Sequence, residues 1–300
     1  MVRKKGLRME NRNLNGACIS LVLLLAGLGL ASCKSGPAGA VKVGGKNFTE
    51  QLILAELTAQ HLEQQGFTVS RHPGFGGTPL VHKALQDGAI DVYIEYTGTA
   101  WQANLHEPPG TLEQLRQRYR ERFRIGVLQP LGFQNGYTFI GRRGKVPARL
   151  DDLVPIAPRL TAGFNAEFLG RPDGWPLVQK AYGLQFKNIA NLDAGLIYRA
   201  LDDGRTDLVC GFSTDARLAS DDYQIIEDNK NAFPRYDAVP VVRMASLAEH
   251  PGLEQALGGL GGRLDAATMR ELNRQAEQDA RPIPELVRDW LQKHPILPSP

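Results

Sequence analysis

The chain of 300 residues has only three cysteines, Cys18, Cys33 and Cys210, too few for a disulfide framework. Its six histidines are scattered, with no two four residues apart. No zinc-site spacing is present, so neither a metal nor a cofactor is expected. No Gly-x-Ser-x-Gly elbow occurs, and Cys210 has no evident histidine partner. Phe212-Ser213-Thr214-Asp215 offers a hydroxyl, but at the end of an apolar run such a hydroxyl reads as a cap. An enzyme, such as a secreted hydrolase, is therefore disfavoured. Charge of one sign is also scarce: 35 basic residues against 32 acidic leave a net +3, too small to predict nucleic-acid binding. No apolar run is long enough to cross a bilayer comfortably; the stretch Ile19 to Ala31 is too short. What is present is ordinary for a globular chain, 42% hydrophobic and 22% charged, in a length that suits one large or two medium domains. Glycine (32) and proline (19) are frequent, which favours many short elements.

The basic residues are unevenly placed. Arg3, Lys4, Lys5, Arg8 and Arg12 precede the apolar run, which leads to Leu30-Ala31-Ser32-Cys33. A basic start, a short apolar run and small residues before a cut site describe an export signal over residues 1–32. Leu-Ala-Ser before a cysteine resembles the lipobox of bacterial lipoproteins, which implies lipidation at Cys33 and a membrane-anchored, extracytoplasmic protein. Residues 33–39 are small and polar and read as a tether. Residues 1–32 carry five basic side chains and one acidic, a net +4, so removing them turns +3 into −1. Cys18 leaves with the signal, and Cys210, within an apolar run, reads as buried and inert.

From Ala40 onward, strand-like and helix-like pieces alternate, which argues for α/β sheets. Strands are expected at 40–44, 68–72, 126–128 and 138–142. Helices are expected at 50–65, from an N1 proline at Pro79, from a capping box at Thr111–Gln114 to about Arg124, and as two helices within 265–292. A repeat underlies the pattern. Leu80 to Ala100 (LVHKALQDGAIDVYIEYTGTA) matches Leu196 to Ala216 (LIYRALDDGRTDLVCGFSTDA) without gaps. Leu80, Ala84, Leu85, Asp87, Gly88, Asp91 and Ala100 all find identical partners in the second copy. The unit is a helix, a glycine stop, an aspartate, a short strand, then an aromatic and hydroxyls at the strand's C-terminal end. Ligands of open α/β sheets sit beyond those ends. Tyr96 and Phe212 are therefore expected at a cleft between two like lobes, where paired aromatics suit an apolar or cationic ligand.

The segments Gly44–Gln51, Gly76–Thr78, Asp91–Thr99, Leu131–Tyr137, Glu167–Gly174, Phe212–Asp215 and Phe233–Tyr236 run in order along the chain. Together they resemble the substrate-binding lipoproteins of ABC uptake systems for quaternary amines: glycine betaine, choline, carnitine and related osmoprotectants. The resemblance implies a two-lobed periplasmic-binding-protein fold, type II-like, with two hinge crossings. Lobe I would be 40–138 plus 237–300, and lobe II 139–236. It implies an aromatic box of Tyr96, Tyr137, Phe212 and Tyr236 for the trimethylammonium head, with Phe212 standing where tyrosine is usual. Lys46, Thr99 and Arg171 match the family's contacts to the ligand carboxylate. Keeping both cations favours a zwitterionic betaine over choline. Asn135, two residues before Tyr137, would share its face in a strand. Gln51 and Thr78 are further pocket candidates. The implied partners are a small quaternary amine, an ABC permease and, through the anchor, the membrane, with no nucleic acid and a monomeric receptor. Ergothioneine, another betaine, and choline remain open as ligands of the same fold, and signalling to a sensor remains open as an alternative role.

Overall fold

Alternating apolar residues open the first strand, β1 (Val41–Gly44), whose Val41 and Val43 are buried. The structure, a computed structural model, describes residues 39–193 and 196–296. The export signal, Cys18, Cys33 and most of the tether lie outside these residues. Among the described residues, ten strands form two five-stranded sheets. The first joins β1, β2 (Val69–His72), β3 (Val92–Tyr96), β4 (Ile125–Val127) and β10 (Ala238–Arg243), in the order β2-β1-β3-β10-β4. The second joins β5 (Tyr137–Arg142), β6 (Thr161–Phe164), β7 (Asn188–Asn191), β8 (Leu208–Phe212) and β9 (Tyr223–Ile226), in the order β7-β6-β8-β5-β9. Helices cover both, giving the expected α/β build.

The two sheets are wired alike. β1 pairs in parallel with β2 and β3, as β6 does with β7 and β8. In each, the next strand is antiparallel and has crossed from the other sheet: β10 against β3, and β5 against β8. The connecting segments, 128–136 and 227–237, meet each other. Gln134 and Asp237 form an antiparallel bridge, and the Asn135 amide donates to the Tyr236 carbonyl at 3.0 Å.

The repeat has a physical content. Gly88 and Gly204 take positive φ, 76° and 68°, which glycine adopts without steric cost, and so stop the preceding helices. Asp91 then accepts from the Lys42 amide at 2.8 Å, and Asp207 accepts from the Thr161 amide at 2.7 Å. Each aspartate thus pins the adjacent parallel strand, β1 or β6, to the one it precedes. The helix after Gly77 begins at Thr78, so Pro79 is its second residue, one later than the sequence suggests. The capping box at Thr111 and Gln114 forms in full, and helix Leu112–Phe123 ends at Arg124 in the left-handed conformation. Helix Thr49–Gln64 buries Ile53, Leu54, Leu57 and Leu62, each contributing about 2 kcal/mol. It packs on the C-terminal helices Ala266–Glu277 and Ile283–Lys293. No helix among the described residues is long and apolar enough to cross a membrane.

Asp91 is buried and also takes the Ser246 hydroxyl at 2.6 Å, whereas Asp207 is exposed. Asp91→Ala strands the half-buried Lys42 amide and the buried Ser246 hydroxyl, and is expected to lower the unfolding free energy by about 2–3 kcal/mol. Asp207→Ala should cost about 1 kcal/mol or less. Urea denaturation of the two variants checks the order, and equal losses would show that the aspartates are not doing the same job at different depths.

Candidate functional site

Tyr96 and Phe212 are the last residues of β3 and β8, and both line one cavity of about 830 Å³. The parallel-strand ends of both sheets therefore feed the same space, as the repeat suggests. Tyr137 opens β5 directly opposite Phe212, and the two rings stack with centroids 5.3 Å apart. Tyr236, carried by the second crossing segment, meets Tyr137 edge-on at 6.4 Å. Gly98 permits this: a Cβ there would lie 2.5 Å from the Tyr236 ring. Tyr96 lines the cavity from the first sheet.

The polar candidates divide. Lys46, Thr78, Thr99, Asn135 and Arg171 all line the cavity. Gln51 does not; it is buried behind the wall and donates to the Tyr96 hydroxyl at 3.1 Å. Asn135 sits in the crossing segment, not in a strand, so it shares no strand face with Tyr137. Both expected cations arrive already paired. Lys46 is buried against Glu95 at 2.5 Å, with its ammonium 5.2 Å from the Tyr96 ring centroid. Arg171 grips Asp173 through two bonds of 2.8 Å, touches Glu167 at 3.1 Å and lies 5.9 Å from the Tyr137 centroid.

Sequence reasoning missed three carboxylates. Glu50, in the first turn of helix Thr49–Gln64, is only 2% exposed. Its oxygens accept from Tyr96 Oη at 2.6 Å, Asn135 Nδ2 at 2.8 Å, Asn273 Nδ2 at 3.1 Å and the Thr214 hydroxyl. No basic side chain among the described residues pairs with it. Burial pushes its pKa up, and the four hydrogen bonds offset part of that rise. An acid in a helix's first turn is ordinary, and its partners come from four distant segments, so only the quoted Gly44–Gln51 stretch hinted at it. Asp173 is buried too: burial pushes its carboxyl up, but bonds from Arg171 and Tyr236 hold it below the usual range. Asp215 accepts from the Phe212 amide at 2.9 Å and the Tyr198 hydroxyl at 2.7 Å, fixing the end of β8. Burial is the main cause raising it to about 6. Cys210 is buried, and burial pushes its thiol up. Among the described residues, no group of three or more His, Cys, Asp or Glu could hold a metal ion.

The chain matches known proteins along most of its length. A family described as the substrate binding domain of ABC-type glycine betaine transport systems matches residues 39–293. The chain is 31% identical to a glycine-betaine-binding protein of Pseudomonas aeruginosa, with 96% of each chain covered. It is 29% identical to the carnitine transport binding protein OpuCC of Listeria monocytogenes, over 93% of this chain and 96% of that one. Among solved structures it is similar to a glycine betaine/carnitine/choline ABC transporter, with TM-score 0.80 and 25% identity over 85% of this chain and 99% of that one.

Asp215 carries a pH signature. Its folded value of about 6 exceeds the ordinary 3.8, so the folded state holds the proton longer. The associated stability is full below about pH 4 and is lost as pH rises to about 6. Asp215→Asn is expected to flatten this fall, which amounts to at most about 3 kcal/mol. Urea unfolding across this range checks it; an unchanged slope in the variant would show that Asp215 is not the group responsible.

Proposed function

The chain belongs to the family of substrate-binding domains of ABC-type glycine betaine transport systems, and on that premise we propose that its cavity captures a glycine betaine-like quaternary ammonium compound for delivery to an ABC permease. The observation that carries this reading is the set of four rings, Tyr96, Tyr137, Phe212 and Tyr236, gathered on one cavity by the two sheets and a crossing segment between them. A quaternary ammonium has no N–H to donate, so it is held by ring quadrupoles and fit, at about 0.5–2 kcal/mol per ring. It loses less on leaving water than a primary ammonium, which suits a largely apolar wall. Phe212 keeps a π face without a hydroxyl.

The ligand carboxylate is assigned to Lys46, Thr99 and Arg171. Lys46 spends one of its donors on Glu95, and Arg171 spends one arm on Glu167, whose side chain is exposed. That last bond is one a ligand carboxylate can replace at small cost, since exposed ion pairs contribute about 0–1 kcal/mol. Thr78 completes the wall on the helix that follows Gly77. Gln51 acts at one remove, by orienting the Tyr96 hydroxyl. The two sheets with their paired crossings are assigned the roles of two lobes and a hinge, closing over the ligand. Cys33 is assigned the lipid that tethers the receptor outside the cytoplasm.

A calorimetric panel of glycine betaine, proline betaine, carnitine, choline and ergothioneine tests the ligand class. At least one is expected to bind and to be recovered chemically unchanged; turnover by catalytic amounts of protein would sink the receptor reading. Tyr96→Ala should weaken the best ligand by about tenfold or more, and an unchanged affinity would remove Tyr96 from the box. Cys33→Ser is expected to yield protein without lipid by mass spectrometry of the membrane fraction. Lipid on that variant would refute the anchor.

A further inference from the structure

Two of the cavity's tyrosines end on carboxylates. Tyr96 donates its hydroxyl to Glu50 at 2.6 Å, and Tyr236 donates its hydroxyl to Asp173. The direction of the first bond is set by its surroundings. Gln51 Nε2 donates to the Tyr96 oxygen at 3.1 Å, leaving the phenolic proton free to point at Glu50. Asn135 and Asn273 meet Glu50 through Nδ2, which can only donate. Glu50 is thus an acceptor among donors, buried, with no basic partner among the described residues. Asp173 differs in one respect: it shares its charge with Arg171.

A charge-assisted hydrogen bond from a phenol to a carboxylate moves electron density onto the phenolic oxygen and, by conjugation, into the ring. A richer ring has a more negative π face. That face attracts a cation electrostatically and does little for an uncharged group of the same shape. We propose that Glu50 and Asp173 are specificity-determining positioning residues, which act through the hydroxyls of Tyr96 and Tyr236 to make these two rings select a quaternary ammonium over its neutral isostere. The inference rests on the quaternary-ammonium reading above and adds to it a source of selectivity outside the ring set. Because Glu50 is uncompensated and Asp173 is not, the effect is larger at Tyr96 than at Tyr236.

The test compares glycine betaine with 3,3-dimethylbutanoate, in which carbon replaces the charged nitrogen at nearly the same shape. Calorimetry gives the ratio of their affinities for the full-length protein, for Glu50→Gln, for Tyr96→Phe and for the double variant. Glu50→Gln is expected to cut the preference for betaine about three- to tenfold. In the Tyr96→Phe background it is expected to cut it no further, because the hydroxyl that transmits the effect is gone. Three results overturn the inference: an unmoved ratio; an equal loss of both ligands, which marks a merely structural role; or the same loss in the Tyr96→Phe background, which marks a direct field from Glu50. The parallel cycle of Asp173→Asn with Tyr236→Phe, expected to show a smaller effect of the same sign, reports independently should Glu50→Gln fail to fold. Should another member of the calorimetric panel bind in place of glycine betaine, it and its carbon-for-nitrogen isostere form the compared pair; a wild-type protein that binds no member of the panel defeats the quaternary-ammonium reading itself and this inference with it. Binding with an unmoved ratio defeats the inference alone.

Discussion

The exchange of one strand between the sheets is the constraint from which the site follows. Each sheet takes its antiparallel fourth strand from a segment that has just left the other, and the two leaving segments pair at Gln134 and Asp237. Asn135 lies in one of these segments, Tyr236 in the other, and Tyr137 begins the strand that follows. The rings of Tyr137 and Tyr236 are therefore neighbours because the backbone crossings are neighbours. The β3 and β8 ends bring Tyr96 and Phe212 to the same place by a different route, the repeated helix–glycine–aspartate–strand unit. A site built from both routes samples both sheets at once, so its geometry depends on their relation as well as on each sheet's own packing.

The electrostatics of the cavity wall are less symmetrical than its rings. Lys46 and Arg171 are balanced by Glu95 and Asp173, while Glu50 is held only by neutral donors. Burying a carboxylate without a cation is costly, and its hydrogen bonds repay only part of that cost. A charge kept in such a place tilts the potential of the whole wall toward cations. Of these charged groups, the two cations each meet a carboxylate, while Glu50 meets only neutral donors.

Much of this was legible in the chain. Asp91, Asp207 and the two glycine stops encode local geometry, and local geometry survives translation from sequence to structure. The gapless repeat puts Tyr96 and Phe212 at strand ends, and the ordered family-like segments contain the remaining rings. What stayed hidden is what depends on distant partners. Glu50 looks like any acid in a helix's first turn until Tyr96, Asn135, Thr214 and Asn273 converge on it from the rest of the chain. Asn135 was expected on a strand face because residue spacing says nothing about where a strand begins. The pairing of Lys46 with Glu95 was equally invisible, since 49 residues separate them. Short pieces such as β6, β7 and β9 carry too few residues for a period to stand out.

Strand exchange also dictates the order in which the molecule can be made. The first sheet has its outer strands by residue 127 but lacks β10, which joins β3 to β4, until residue 243. Every residue of the second sheet is synthesised in between. The first sheet therefore waits for its joining strand through about two-fifths of the chain, and it closes through contacts of long sequence separation, which form slowly. A chain that delays its own completion in this way remains threadable late into its synthesis.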